Sequence, residues 1–157
     1  MRMIILILAG VLLAFTAFAQ PRAQYQKDAD GVLLPDPKAT PGATLNVTMH
    51  HLCMKGYTQT VRNVTDAEKQ HIYALYGAKK QPKVCCEVDH LISLELGGSN
   101  DLTNLWPEPY LPKPGAHEKD KLENVLHQAV CDGKMTLQEA QQKISTNWYE
   151  AYKQLVK

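Results

Sequence analysis

Near the middle of the chain, Asp89 and His90 set a hard oxygen donor beside a proton acceptor. Asn104 lies fourteen positions after His90, and His117, Asp120 and Glu123 then recur at three-residue steps. An imidazole, with an ordinary pKa of about 6.5, takes a proton from water readily near neutral pH. Carboxylate oxygens suit Mg²⁺, and a bound divalent ion stabilises charge that develops as a bond breaks. Together these residue types suit metal-assisted hydrolysis. An Asp-His pair alone also fits a buried histidine satisfied by its neighbour, so the other positions carry the argument.

The run Glu87-Val88-Asp89-His90-Leu91-Ile92, followed by Gly97-Gly98 and Asn104-Leu105, resembles the HNH nuclease motif. A wider set, from Thr40-Pro41-Gly42 through Gly56-Tyr57-Thr58 and Val61-Arg62 to Cys131 and Ala140-Gln141, is similar to small secreted bacterial HNH endonuclease-like proteins. The resemblance implies an α+β fold: a ββα-metal (HNH) core with flanking helices and a disulfide-stapled N-terminal extension. It implies a phosphodiester hydrolase acting on nucleic acid, DNA ahead of RNA, with His90 as general base and Asp89 as a metal ligand. Asn104 would orient His90 through its amide oxygen or a backbone contact. His117 is the first choice for the helix-borne ligand, with Asp120 and then Glu123 as carboxylate substitutes. One divalent ion is expected, Mg²⁺ ahead of Mn²⁺ or Zn²⁺. Ser93 stands where the related pattern commonly has proline, a departure that affects loop stiffness rather than chemistry.

Such a reaction requires water to lose a proton, a phosphorane to be stabilised and the leaving alkoxide to be relieved of charge. Asp89 and His90 cannot both point into one cleft from a regular strand, because neighbours alternate between faces. The resemblance implies a strand end or distortion there, letting Asp89 reach the metal while His90 faces the scissile phosphate. Arg62 and Lys119 are the candidate phosphate contacts, and Trp106 reads as burial beside the site. Two other function classes remain open: a nucleic-acid-binding module without catalysis, and a disulfide-stapled structural or interaction domain.

These residues need elements to position them. Thr65-Asp66-Ala67-Glu68 has capping-box spacing and predicts a helix carrying Ile72 and Leu75 and ending at Gly77. Val84 to Leu96 alternates as a strand does, and Gly97 to Asp101 supplies turn chemistry. A helix is predicted over about 116–130 on the spacing of Leu122, Val125, Leu126 and Ala129. A second capping box, Thr136 to Glu139, begins a final helix whose stripe is Leu137, Ala140, Ile144, Trp148, Tyr152 and Leu155. Residues 43–47 suit a short strand, and His50 and His51 read as solvent-facing.

At the N-terminus, Met1-Arg2-Met3 precedes an apolar run that closes on Ala17-Phe18-Ala19. Residues 1–19 are read as a signal peptide cleaved after Ala19, because the run falls short of the ~20 residues of a membrane span. A periplasmic or secreted monomer without stable membrane association is expected. Residues 20–44, with Pro21, Pro35, Pro37 and Pro41, read as an irregular arm, and 45–157 as a single domain. The chain carries 17 Lys+Arg against 16 Asp+Glu, too even for general polyanion attraction. Local rims built from Lys79, Lys80 and Lys83, and from Lys113, Lys119 and Lys121, could serve instead. Cys53, Cys85, Cys86 and Cys131 predict disulfides in an oxidising compartment. Either Cys53 pairs with Cys131, or each takes one member of the Cys85/Cys86 doublet.

Overall fold

The computed structural model describes residues 22–78 and 85–156. The expected signal peptide and the Lys79, Lys80, Lys83 cluster lie outside them. The described chain is α+β, and no helix in it is long and apolar enough to cross a membrane.

The arm is less irregular than its prolines suggest. Strands β1 (Gln26–Lys27) and β2 (Leu33–Leu34) pair as a small antiparallel hairpin. Asp36 folds the arm, its carboxylate accepting the Gln24 and Lys38 amides at 2.8 Å each. Tyr25 Oη donates to the Pro107 carbonyl at 2.7 Å, and Thr40 Oγ1 donates to the Leu105 carbonyl at 3.0 Å. Hydrogen bonds thus hold the arm to the body. The Cys53–Cys131 disulfide lies outside it and joins the ends of two helices with Cα atoms 5.8 Å apart. Cys85 and Cys86 form the second disulfide.

Helices α1 (Met49–Leu52) and α2 (Tyr57–Val61) are short, with His50 and His51 exposed on α1. Residues 43–47 contribute only one bridge, Thr44 to Gly98, rather than a strand. Helix α3 (Asp66–Tyr76) begins and ends where its sequence predicts: Thr65 and Glu68 cap it reciprocally, and Gly77 closes it at φ 63°.

Strand β3 (Cys86–His90) pairs antiparallel with β4 (Leu105–Pro109), placing Asp89 opposite Trp106 and His90 opposite Leu105. The expected strand to Leu96 stops at His90. The Asn104 amide takes both backbone groups of Ile92, accepting its N–H at 3.0 Å and donating to its carbonyl at 3.0 Å. Residues 94–96 therefore form a 3₁₀ turn, and their apolar character reflects a buried loop. Gly98 is required in it: a Cβ there would stand 1.8 Å from the Ile92 carbonyl oxygen.

Helices α4 (Ala116–Cys131) and α5 (Leu137–Leu155) close the fold. Leu122, Leu126 and Val130 of α4 share a core with Ala140, Ile144 and Trp148 of α5 and with Leu105 and Trp106 of β4. Helix α5 kinks at Asn147, whose Oδ1 accepts the Tyr149 and Glu150 amides at 3.1 Å each and restarts the helix as an N-cap would.

Candidate functional site

A cleft of about 320 Å³ opens where the end of β3 meets α2 and the first turns of α4. Thr58, Arg62, Asp89, His90, Glu95, Asp120 and Glu123 are among its lining residues. Asp89 comes from β3. Asp120 and Glu123 sit three residues apart on α4, which puts both on one helical face. The structure brings one carboxylate oxygen from each of these three residues within 4.8 Å of the others.

His90 is the last paired residue of β3, where the chain leaves the sheet. That position resolves the alternation problem, because Asp89 and His90 both line the cleft. The imidazole is only 3% exposed; its Nδ1 lies 3.6 Å from Asp89 Oδ1 and its Nε2 lies 3.1 Å from Asn100 Oδ1. At 3.6 Å the Asp89 contact is beyond hydrogen-bond range. In the sequence Asn100 is only part of a turn, and no spacing argument singles it out.

Three expected roles are redrawn. Lys119 is not a surface phosphate contact: its side chain is fully buried beneath the cleft. Its Nζ donates to the His90 carbonyl at 2.8 Å and to Glu123, and lies 3.6 Å from Asp89 and 3.4 Å from Glu108. The reason is helical phase, since Lys119 precedes Leu122 and Leu126 on the inward face of α4. Asn104 does not reach the His90 ring. Fully buried, it instead ties the loop together through Ile92 and a 2.9 Å bond to the Ser99 carbonyl, and its own carbonyl accepts the Leu91 amide at 2.8 Å. His117 is not part of the carboxylate triad. Its ring is 66% exposed, lies 5.7 Å from the Tyr110 ring and, among the described acidic residues, comes within 4 Å of Asp120 alone, at 3.8 Å. Glu123, named in the sequence only as a substitute, takes its place. Arg62 is exposed on the opposite wall, where α2 ends.

The electrostatics show a site crowded with negative charge. Burial acts to raise the Asp89 carboxyl, but the Lys119 ammonium and His90 outweigh it and hold the group well below its usual range. Glu123 goes the other way. Burial pushes it up to about 8, reinforced by the Asp89 charge, despite its contact with Lys119. Asp120 is also raised, by burial and then by Asp89. Glu108 is driven well above 4.5 by burial, and neither of its oxygens has a hydrogen-bond partner among the described residues.

One internal cation thus serves several carboxylates, and the set retains capacity for another positive charge. The converging donors are all oxygen, which suits Mg²⁺ or Mn²⁺ better than Zn²⁺. Comparison with protein-family models, curated proteins and solved structures returns no match.

Proposed function

We propose that this chain is an exported, metal-dependent endonuclease of the HNH kind, hydrolysing phosphodiester bonds of DNA ahead of RNA. The observation that carries the reading is the meeting of the Asp89, Asp120 and Glu123 oxygens beside the His90 ring in a cleft walled by Arg62. The chain order supports it as well. An antiparallel pair, β3 and β4, is followed by a helix that returns its side chains to the end of β3, the ββα order implied by the motif. Two disulfides fit an oxidising compartment outside the cytoplasm.

Asp89, Asp120 and Glu123 are the residues that would hold a divalent ion. When bound, the ion supplies Lewis-acid stabilisation of the phosphoryl and leaving oxygens. The chain's own groups do the rest. His90 accepts a proton from the attacking water, and the imidazolium so formed is stabilised by Asp89 at 3.6 Å. Arg62, with its planar fork of donors, grips a non-bridging phosphate oxygen. The buried Lys119 holds Asp89, Glu123 and the His90 carbonyl in one arrangement without touching substrate.

A second reading has one observation in its favour. Lys119 already neutralises part of the carboxylate set, so the cleft could persist as a structural ion-pair network with no metal and no catalysis. Plasmid nicking in Mg²⁺, Mn²⁺, Zn²⁺ and EDTA, with His90→Ala and Asp89→Asn beside the parent, separates the two. Cutting in Mg²⁺ or Mn²⁺ that both substitutions abolish is the expected result. Absence of cutting in every metal would leave the network reading standing.

A further inference from the structure

Asn100 sits in the turn between β3 and β4, outside the residues assigned a role so far, and its amide makes three contacts. Nδ2 donates to the Val61 carbonyl at 2.8 Å, while Oδ1 accepts the Asn63 amide at 3.2 Å and faces His90 Nε2 at 3.1 Å. The Val61 carbonyl can only accept and the Asn63 N–H can only donate. Only one orientation of the Asn100 amide satisfies both. With Oδ1 thereby fixed toward the ring, the contact is completed only by a proton on Nε2. The neutral ring then carries its lone pair on Nδ1, the nitrogen on the Asp89 side.

We propose that Asn100 is a positioning residue that sets the His90 tautomer and, through the same amide, anchors the backbone on both sides of Arg62. The inference rests on the reading of His90 as the base and extends it: one side chain couples the proton acceptor to the phosphate-gripping arm. The alternative tautomer has a partner ready. Asp89 Oδ1, 3.6 Å from Nδ1, would accept an Nδ1–H after a small approach. Such a pair would remove the lone pair from the water side and engage a metal-binding carboxylate. Asn100 holds the ring against that outcome because its acceptor is closer and is itself pinned at two backbone points. The loop beneath it is pinned too, through the Asn104 bond to the Ser99 carbonyl and the Ser99 amide bond to the Ala43 carbonyl at 2.9 Å.

The test is imidazole ¹⁵N NMR on the metal-free full chain at a pH where the ring is neutral, for the parent, Asn100→Asp and Asn100→Ala. Asn100→Asp keeps an oxygen acceptor for the ring and loses the donor to Val61; Asn100→Ala loses both. The parent and Asn100→Asp should carry the His90 proton on Nε2, while Asn100→Ala moves it to Nδ1. Nicking kcat should fall about 100-fold or more in Asn100→Ala, the lower end of general-base effects. It should stay within about tenfold of the parent in Asn100→Asp, and KM should rise in both as the Arg62 segment loosens. A parent ring protonated on Nδ1, or an Asn100→Ala ring still protonated on Nε2, overturns the proposal. So does an equal loss of kcat in both variants, the mark of a merely structural side chain. The NMR result needs no turnover, so an inactive parent with the proton on Nε2 would sink the nuclease reading and leave the tautomer lock standing.

Discussion

Lys119→Met removes the internal cation while keeping most of the packing of its stem. The lysine is fully buried, bonded to the His90 carbonyl and Glu123, and close to Asp89 and Glu108. Deleting one partner of a buried pair costs about 3–5 kcal/mol, because the opposite charge is left uncompensated. Loss of the bond to the His90 carbonyl adds a charged hydrogen bond of about 1.5–3 kcal/mol. The protonated form toward which burial drives Glu108 and Glu123 leaves less charge uncovered and offsets a similar amount. The expected net loss is therefore about 3–5 kcal/mol at neutral pH in EDTA, a drop in melting midpoint of roughly 10–20 °C for a domain of this size. Thermal unfolding followed by circular dichroism measures it. The same scan in saturating Mn²⁺ should recover a larger share of stability in the variant than in the parent, since Asp89 and Glu123 have lost their internal counter-charge. A loss below about 1 kcal/mol in EDTA would refute the network argument. Equal Mn²⁺ responses would refute the idea that Lys119 and a metal share these carboxylates.

The double variant Cys53→Ser/Cys131→Ser should lose about 2–4 kcal/mol, under the ceiling of about 4.5 kcal/mol for closing a loop of this length. The bonded cysteines are 78 residues apart, and denaturant unfolding of the two proteins reads the difference directly. The arm should loosen in acid. Amides of Gln24, Lys38 and Ala39 hold the Asp36 carboxyl below its ordinary 3.8, so its contribution is full above that value and fades as pH falls through the lowered one. Hydrogen exchange at Gln24 and Lys38, measured from pH 5 downward and divided by the intrinsic rate at each pH, should lose protection in the parent. Asp36→Ala should show the faster exchange already at pH 5.

Helix α3 could be read from the sequence at both ends because its signals are local: Thr65 and Glu68 are one turn apart, and Gly77 needs only its own backbone freedom. The reach of β3 could not. What ends it is a bond between the Ile92 backbone and the Asn104 side chain, and no periodicity reports on a contact of that range. The site was half legible in the same sense. Residue type marks Asp89, His90 and Asp120 as able to do chemistry, yet two asparagines share one loop and nothing in their spacing says which amide meets the ring. Lys119 is a different case. Counting the apolar stripe of α4 back from Leu126 through Leu122 lands on it, so its burial was available from helical phase. Its charge argues the other way, but charge points outward only when no buried acid stands ready to receive it.

That arrangement bears on the near-even balance of acidic and basic residues, which is ill suited to general attraction of the proposed polyanionic substrate. Among the described residues lining the cleft, Arg62 is the only permanently charged cation, set against Asp89, Glu95, Asp120 and Glu123. Lys119 lies beneath them, where a phosphate cannot reach it. Its positive charge is spent in holding carboxylates together rather than in attracting substrate. On the proposed reading, a phosphodiester entering this cleft depends on charge supplied at the triad itself. In such a design the overall balance of the chain says little about its substrate, because what governs attraction is the charge within a few ångströms of the scissile bond.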